Sequence, residues 1–301
     1  MLIQDYKLGF KLREFNSTKC YVARKGGENY FLKMIELDKD ENEKIEKVEM
    51  EIECLKKLRP HKNIIELVDS FKIEKEDNKI IYCIVTEMMQ MDLLRYLKKK
   101  RGMLSEKKLR VIMKKLLQAV LHLKKNNIVH HDIKPENIMI DEKKKRLKLI
   151  DFGMSSISQS SEQMKKMNLT VGTPYFMCPS KYKMIEYDGH KSDMWSCGVV
   201  LYNLLSGSYP FDTDSGYLSD LAKKVIDEDY LLPHCSPELA SLLSGLLEKN
   251  PDNRLSAEEA LQHSFFEDSS STFLHLSENI FSIPSRNHVR SIAKSLELLK
   301  V

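Results

Sequence analysis

Residues 130–153, HHDIKPENIMIDEKKKRLKLIDFG, decide how the rest of this chain is read. The stretch opens on a polar loop in which Asp132, Lys134 and Asn137 stand at fixed offsets around Pro135. That proline, with its fixed φ and no N–H, keeps the segment out of a regular helix. An apolar run at 138–140, a charged turn at 142–146 and a second run at 147–150 follow, delivering Asp151 onto Phe152-Gly153. Two short strands joined by a hairpin would bring Asp132, Asn137 and Asp151 to one end of a cleft. Two carboxylates and an amide oxygen gathered there suit a hard cation such as Mg²⁺, which takes a few oxygen ligands and shares the rest with phosphates and water.

Working outward, residues 6–37 alternate as strands do, with Lys25-Gly26-Gly27-Glu28 as a turn. Lys33 follows the apolar Tyr30-Phe31-Leu32. Over 42–58, Ile45, Val48, Ile52, Leu55 and Leu58 form a helical stripe with Glu51 beside it. Ser105-Glu106 opens a second helix, with Leu109, Ile112, Leu116, Val120 and Leu123 on one face, ending near Asn126-Asn127. Residues 155–166 are polar and aperiodic. A later helix, beginning around Asp193-Met194-Trp195-Ser196-Cys197-Gly198, is apolar on nearly all sides and is predicted to be buried. The Lys-rich runs at 98–101 and 143–146 invite a nuclear-signal reading, with solvated turn charges the simpler account.

Composition narrows the class. A length of 301 residues allows one large domain or two smaller ones. A hydrophobic content of 42% and a charged content of 31% are those of a soluble globular protein. With 48 basic and 44 acidic residues, the net charge of +4 gives no bias toward nucleic acid or membrane, and neither is expected as a partner. Cys20, Cys54, Cys83, Cys178, Cys197 and Cys235 include no C-x-x-C pair and read as reduced thiols. Neither a leader peptide nor an 18-residue apolar run is seen, so a cytoplasmic or nuclear protein is expected.

The order, spacing and strand context of 130–153 resemble the catalytic and metal-binding loops of the protein kinases, H-R-D-x-x-x-x-N followed by D-F-G. The resemblance covers about residues 6–266. It implies an α+β, bilobal fold: a small β-rich lobe at 1–88, a larger helical lobe at 89–266 and a C-terminal tail at 267–301. ATP and Mg²⁺ are the implied cofactors, and protein Ser/Thr hydroxyls the implied acceptors. By resemblance, Asp132 orients the acceptor hydroxyl and takes its proton, while Lys134 sits on the transferred phosphoryl. Asn137 and Asp151 hold the metals. Lys33 holds phosphates and pairs with Glu51. Thr173, in Val171-Gly172-Thr173-Pro174-Tyr175, bridges Asp132 and Lys134; this threonine and Lys134 are features of the serine/threonine branch. Leu12, Cys20 and Met139 line the nucleotide site. Thr86 is the gatekeeper, and backbone groups of Glu87 and Met89 contact adenine. Leu55, Leu67, His130 and Phe152 form an apolar stack standing on Asp193, which caps its helix and braces the catalytic loop.

The chain departs from the family at several points. The three glycines of the phosphate-covering loop are replaced by Arg13, Phe15 and Thr18. Glycines there allow close approach of backbone N–H groups to phosphate, so their loss should stiffen the loop and weaken nucleotide binding. Arg13 either adds positive charge near the phosphates or, as exposed arginines usually do, points into solvent. Phe31 stands where the family has Ala over adenine. His131 replaces the Arg that pairs with a phosphorylated activation segment, implying activity that depends little on such phosphorylation. Cys178-Pro179-Ser180 replaces A-P-E, whose Glu would pair with Arg254. Either Arg254 is more exposed here or a carboxylate such as Glu186 or Asp188 substitutes.

Asp92 and Glu136 occupy places where related enzymes read basic residues near the acceptor; solvated surface charge is the competing account. Tail residues Val289, Ile292, Leu296 and Leu299 form a stripe ringed by Arg286, Arg290, Lys294 and Lys300. An amphipathic helix of this kind packs on the enzyme's own surface, or serves as a calmodulin-type target or regulatory-partner site. In W-S-C-G, S-Y-P-F and H-S-F-F the chain loosely resembles the calcium/calmodulin-dependent and checkpoint kinases. The alternative is a pseudokinase acting as a binding or scaffold protein.

Overall fold

The computed structural model describes residues 2–100 and 104–267. The amphipathic stripe expected in the tail lies outside them. Strands β1 (Leu2–Ile3), β2 (Tyr6–Phe15), β3 (Thr18–Lys25) and β4 (Glu28–Asp38) lead into α1 (Asn42–Leu58), followed by β5 (Leu67–Glu74) and β6 (Lys79–Glu87). The six strands form one antiparallel sheet in the order β1-β2-β3-β4-β6-β5. Gly26 and Gly27, both at positive φ, make the two-residue turn between β3 and β4, where the twist of the strands calls for left-handed backbone. Alternation gives this sheet two different faces. Ala23, Leu32, Met34, Cys83 and Val85 form one cluster with Tyr6, while Ile35 and Leu37 join the main core with α1.

The larger lobe runs through β7 (Met91–Asp92), α2 (Leu93–Lys99), α3 (Glu106–Lys125), β8 (Ile128–Val129), β9 (Ile138–Asp141), β10 (Arg146–Leu149), β11 (Ser156–Ile157) and α4 (Ser161–Met164). It continues with α5 (Pro179–Tyr182), α6 (Gly189–Ser206), α7 (Leu218–Asp227), α8 (Pro237–Leu246) and α9 (Ala257–Leu261). Thus a curled sheet with one long helix sits on a mainly helical body, the α+β bilobal arrangement expected. The stretch read as aperiodic after Gly153 holds two small elements, β11 paired to β8 and the single turn of α4. All six cysteines are free thiols. No helix among the described residues is long and apolar enough to cross a membrane.

Helix α6 is buried along nearly its whole length, as its all-round apolar sequence requires. Its start corrects the expectation for Asp193. The helix begins at Gly189, and Asp188 is the N-cap, accepting from the Lys191 N–H at 3.0 Å. Asp193 lies one turn further in, so its carboxylate is free to reach the backbone N–H groups of His130 (2.8 Å) and His131 (3.0 Å). It braces the catalytic loop but does not cap the helix.

Arg254 brings a second correction. It is only 1% exposed, and neither Glu186 nor Asp188 pairs with it. Its guanidinium donates to the carbonyls of Glu248 (2.8 Å), Lys191 (2.8 Å) and Lys249 (3.1 Å), and lies 5.1 Å from the centre of the Trp195 ring. Three carbonyl dipoles and an aromatic face satisfy a planar cation in a chain that carries Ser180 where the family motif has Glu.

Candidate active site

The β9–β10 hairpin sets the floor of the cleft. Arg146 pairs with Asp141 and Leu149 with Ile138, so Asn137 just before β9 and Asp151 just after β10 emerge at the same end. The Ile150 N–H donates to the Asn137 carbonyl at 2.9 Å and fixes that proximity. Asn137 Nδ2 donates to the Asp132 carbonyl and to Asp132 Oδ2, both at 2.9 Å, leaving its Oδ1 as the acceptor oxygen. Asp132, Asn137 and Asp151, 19 positions apart from end to end, therefore lie together at one end of the hairpin.

Asp132 sits in a closed set of contacts. Lys134 Nζ lies 2.9 Å from Asp132 Oδ2 and donates to Thr173 Oγ1 at 2.7 Å, and Thr173 Oγ1 donates to Asp132 Oδ1 at 2.6 Å. Burial works against the Asp132 carboxylate, but Lys134 and the Thr173 hydroxyl outweigh it and hold its pKa below the usual range. Asp151 adopts φ 64°, a left-handed backbone that few residues other than glycine, asparagine, aspartate and histidine take up and that is often found at functional sites. Its side chain is half exposed; desolvation by the cleft wall works against the charge, but Lys33 foremost outweighs it, so its pKa is lowered.

On the roof side, Lys33 Nζ lies 2.8 Å from both Glu51 oxygens and 3.7 Å from Asp151 Oδ1. Burial would discharge the ammonium, yet Glu51 and Asp151 reverse the effect and raise its pKa. Glu51, on the buried face of α1, is 5% exposed. Leu55, Leu67 and Phe152 are buried in the main core, and the buried His130 has its ring 5.0 Å from that of Phe152. Cys20 is buried on β3 opposite Lys33, Met139 is half-buried on β9, and Leu12 on β2 is largely exposed.

The donor set fits the expected ion. Among the described residues no three His, Cys, Asp or Glu side chains gather into a metal cage. The Asn137 amide oxygen and the Asp151 carboxylate are what Mg²⁺ accepts when phosphates and water complete its shell. In the same way, the Lys33 ammonium and the Lys134 ammonium are placed for a polyphosphate.

Several contacts were not legible in the sequence. The side chain of Glu87, expected to matter only through its backbone, accepts from Arg146 Nη1 at 2.9 Å and pairs with Lys148, whose Nζ also reaches the Ile64 carbonyl. Arg146 bonds Asp141 as well, so it is not the solvated turn charge expected of the 143–146 run. His131 is buried at φ 66°, with Nε2 2.8 Å from Ser156 Oγ. Burial first, then the neighbouring Lys181, push its pKa well down, so the imidazole is neutral. Asp92 is occupied as the N-cap of α2 and by Arg95 at 3.2 Å.

This architecture and this site define a protein kinase domain. The chain belongs to that family: residues 14–266 match its model. Among similar proteins, the liver/testis isoform of the phosphorylase b kinase gamma catalytic chain of Mus musculus is 34% identical over 264 residues, 82% of this chain and 62% of that one. The CBL-interacting serine/threonine-protein kinases 20 and 15 of Arabidopsis thaliana are 32% identical over 274 residues (89% of this chain, 60% of that one) and 34% over 272 (88% and 62%). The chain spans about three-fifths of the length of the curated relatives it matches.

Proposed function

We propose that this chain is a serine/threonine protein kinase that transfers the γ-phosphoryl of ATP to protein hydroxyls. The observation that carries the reading is the closed contact set of Asp132, Lys134 and Thr173, with Asn137 turned by Asp132 to offer an oxygen. Family members use ATP with Mg²⁺, and bound Mg²⁺ neutralises charge on the phosphate oxygens. Asn137 and Asp151 would hold it here. Lys33, fixed by Glu51, positions the phosphates. Lys134 neutralises the phosphoryl in transit, and Asp132 orients the acceptor hydroxyl and receives its proton. Leu12, Cys20, Met139 and the backbone of Glu87 and Met89 line the adenine side.

Glu136 makes no ion pair among the described residues and lies within the catalytic loop, which supports a preference for basic acceptor contexts. The kinase-like binding protein without chemistry, the competing expectation, gains no support from a site in which every charged group of the reaction is present and paired. A cytoplasmic or nuclear location and a regulatory partner for the tail complete the proposal. Radiolabelled ATP with a basic Ser/Thr peptide tests it. Asp132→Asn should lower turnover about 10²- to 10⁴-fold. Incorporation that survives this substitution, in a folded variant, sinks the reading.

A further inference from the structure

We propose that Arg13 is a phosphate-binding residue, a cleft-facing guanidinium that holds the nucleotide's phosphates in place of the N–H groups of a glycine loop. The inference rests on the kinase reading above and names how this particular roof would do its work.

Strand register is the first support. Arg13 stands opposite Cys20, and Cys20 opposite Lys33. Residues directly opposed across antiparallel strands project from the same face of the sheet. Lys33 meets Glu51 and approaches Asp151, so this face looks into the cleft. The residues between them keep the alternation: Leu32 and Met34 join the cluster on the opposite face, with Tyr21 packed against it.

A local irregularity in β2 brings Arg13 into that row. Lys11 pairs with Tyr21 and Arg13 with Cys20, so β2 carries one extra residue, Leu12, between them. A bulge of this kind re-aims the side chains around it and is common beside active sites. The hairpin tip is closed as well. Pairing continues to Phe15 and Thr18, and the Ser17 carbonyl accepts from the Glu36 N–H at 2.9 Å.

Charge is the second support. Lys11 and Lys19, the two basic residues nearest Arg13 along the hairpin, both pair with Glu14. Among the described residues, Arg13 has no carboxylate partner, which leaves its fork of donors open. Its field reaches the cleft: burial raises the pKa of the Cys20 thiol, and Arg13, then Lys33, oppose that rise. A planar guanidinium with five donors grips phosphate oxygens in a bidentate way that a single N–H cannot. The ligand class is therefore a nucleoside polyphosphate.

The test is nucleotide binding by the full chain, followed by calorimetry with ATP, ADP and adenosine in the presence of Mg²⁺. Arg13→Ala should weaken ATP about tenfold, the loss expected for one charge-assisted contact, and leave adenosine unchanged. Arg13→Lys should recover part of the loss. Arg13→Gly, which restores the family's residue, should bind ATP as weakly as Arg13→Ala. Wild-type affinity in Arg13→Ala or Arg13→Gly overturns the inference and leaves the kinase reading standing. An equal loss for ATP and adenosine assigns Arg13 a merely structural part in the hairpin and also overturns it. A wild-type chain that binds neither ATP nor ADP takes the kinase reading down as well.

Discussion

The floor and the roof of the cleft are built on different terms. On the floor, Asp132 and Asn137 are buried, and Asp132 is bonded by Asn137, Lys134 and Thr173. On the roof, Phe10 and Phe15 are 75% and 65% exposed, and the three family glycines are gone. The difference follows from what each must supply. Metal and acceptor hydroxyl have to meet fixed oxygens, and an error of an ångström there is costly to the rate. The roof supplies binding, which amides, a guanidinium or an aromatic face can each provide. Chemical residues are therefore constrained in type and position, and covering residues only in charge and shape.

That contrast can be broken by experiment. Asn137→Ala removes a proposed metal oxygen and a hydrogen-bond partner of Asp132, and should lower kcat at least about 10²-fold. A change confined to the KM for ATP would place Asn137 among the binding residues and undo the comparison. Restoring two glycines with Phe15→Gly and Thr18→Gly should act on the other side, lowering the KM for ATP by up to about tenfold with kcat nearly unchanged. Steady-state kinetics at several ATP concentrations separate the two patterns.

A smaller effect concerns pH. His61, His131 and His190 all have pKa values lowered by burial, His61 to about 4. For a histidine held neutral in the folded chain, the unfolded chain binds more protons between the folded value and about 6.5. Stability is therefore complete above that upper value and is lost as pH falls toward the lower one. The unfolding temperature should drop by a few degrees between about pH 7 and 5, and His61→Gln should flatten part of the slope. A pH-independent melt would contradict the buried neutral state.

The smallest expected effect is none. Because neutral His131 is bonded to Ser156 and offers no charged fork to a phosphate, replacing Ser158, Ser160 and Thr170 together by Ala should leave turnover within about twofold. Loss of activity in that folded variant would show that phosphorylation of the segment matters.

Much of the floor was legible because spacing alone carries it: the offsets from Asp132 to Asn137 and onward to Asp151 survive any rearrangement of the surface. Helix α1 was readable from its apolar stripe, and its bounds in the structure are those the pattern gave. Other contacts join residues remote in sequence. No local signal tells that Arg254 will find three carbonyls and an indole rather than a carboxylate, or that Glu87 will reach Arg146 and Lys148. The start of α6 was misread for a local reason. Both Asp188 and Asp193 are good capping residues, and only the packing of Gly189 against Val129 and Met167 shows which one opens the helix. The direction in which Arg13 faces depends on a one-residue bulge, and register shifts of that size leave no mark in composition.

Glu87 stands at the crosspiece between the lobes, while Lys148 and Arg146 belong to the strand that leads to Asp151. Their union makes the pivot of the molecule stiff on one side. Any tilt of the small lobe against the large one would have to be taken up on the far side of that rivet. The carboxylate proposed to grip metal would then keep its aim while the sheet above it moved.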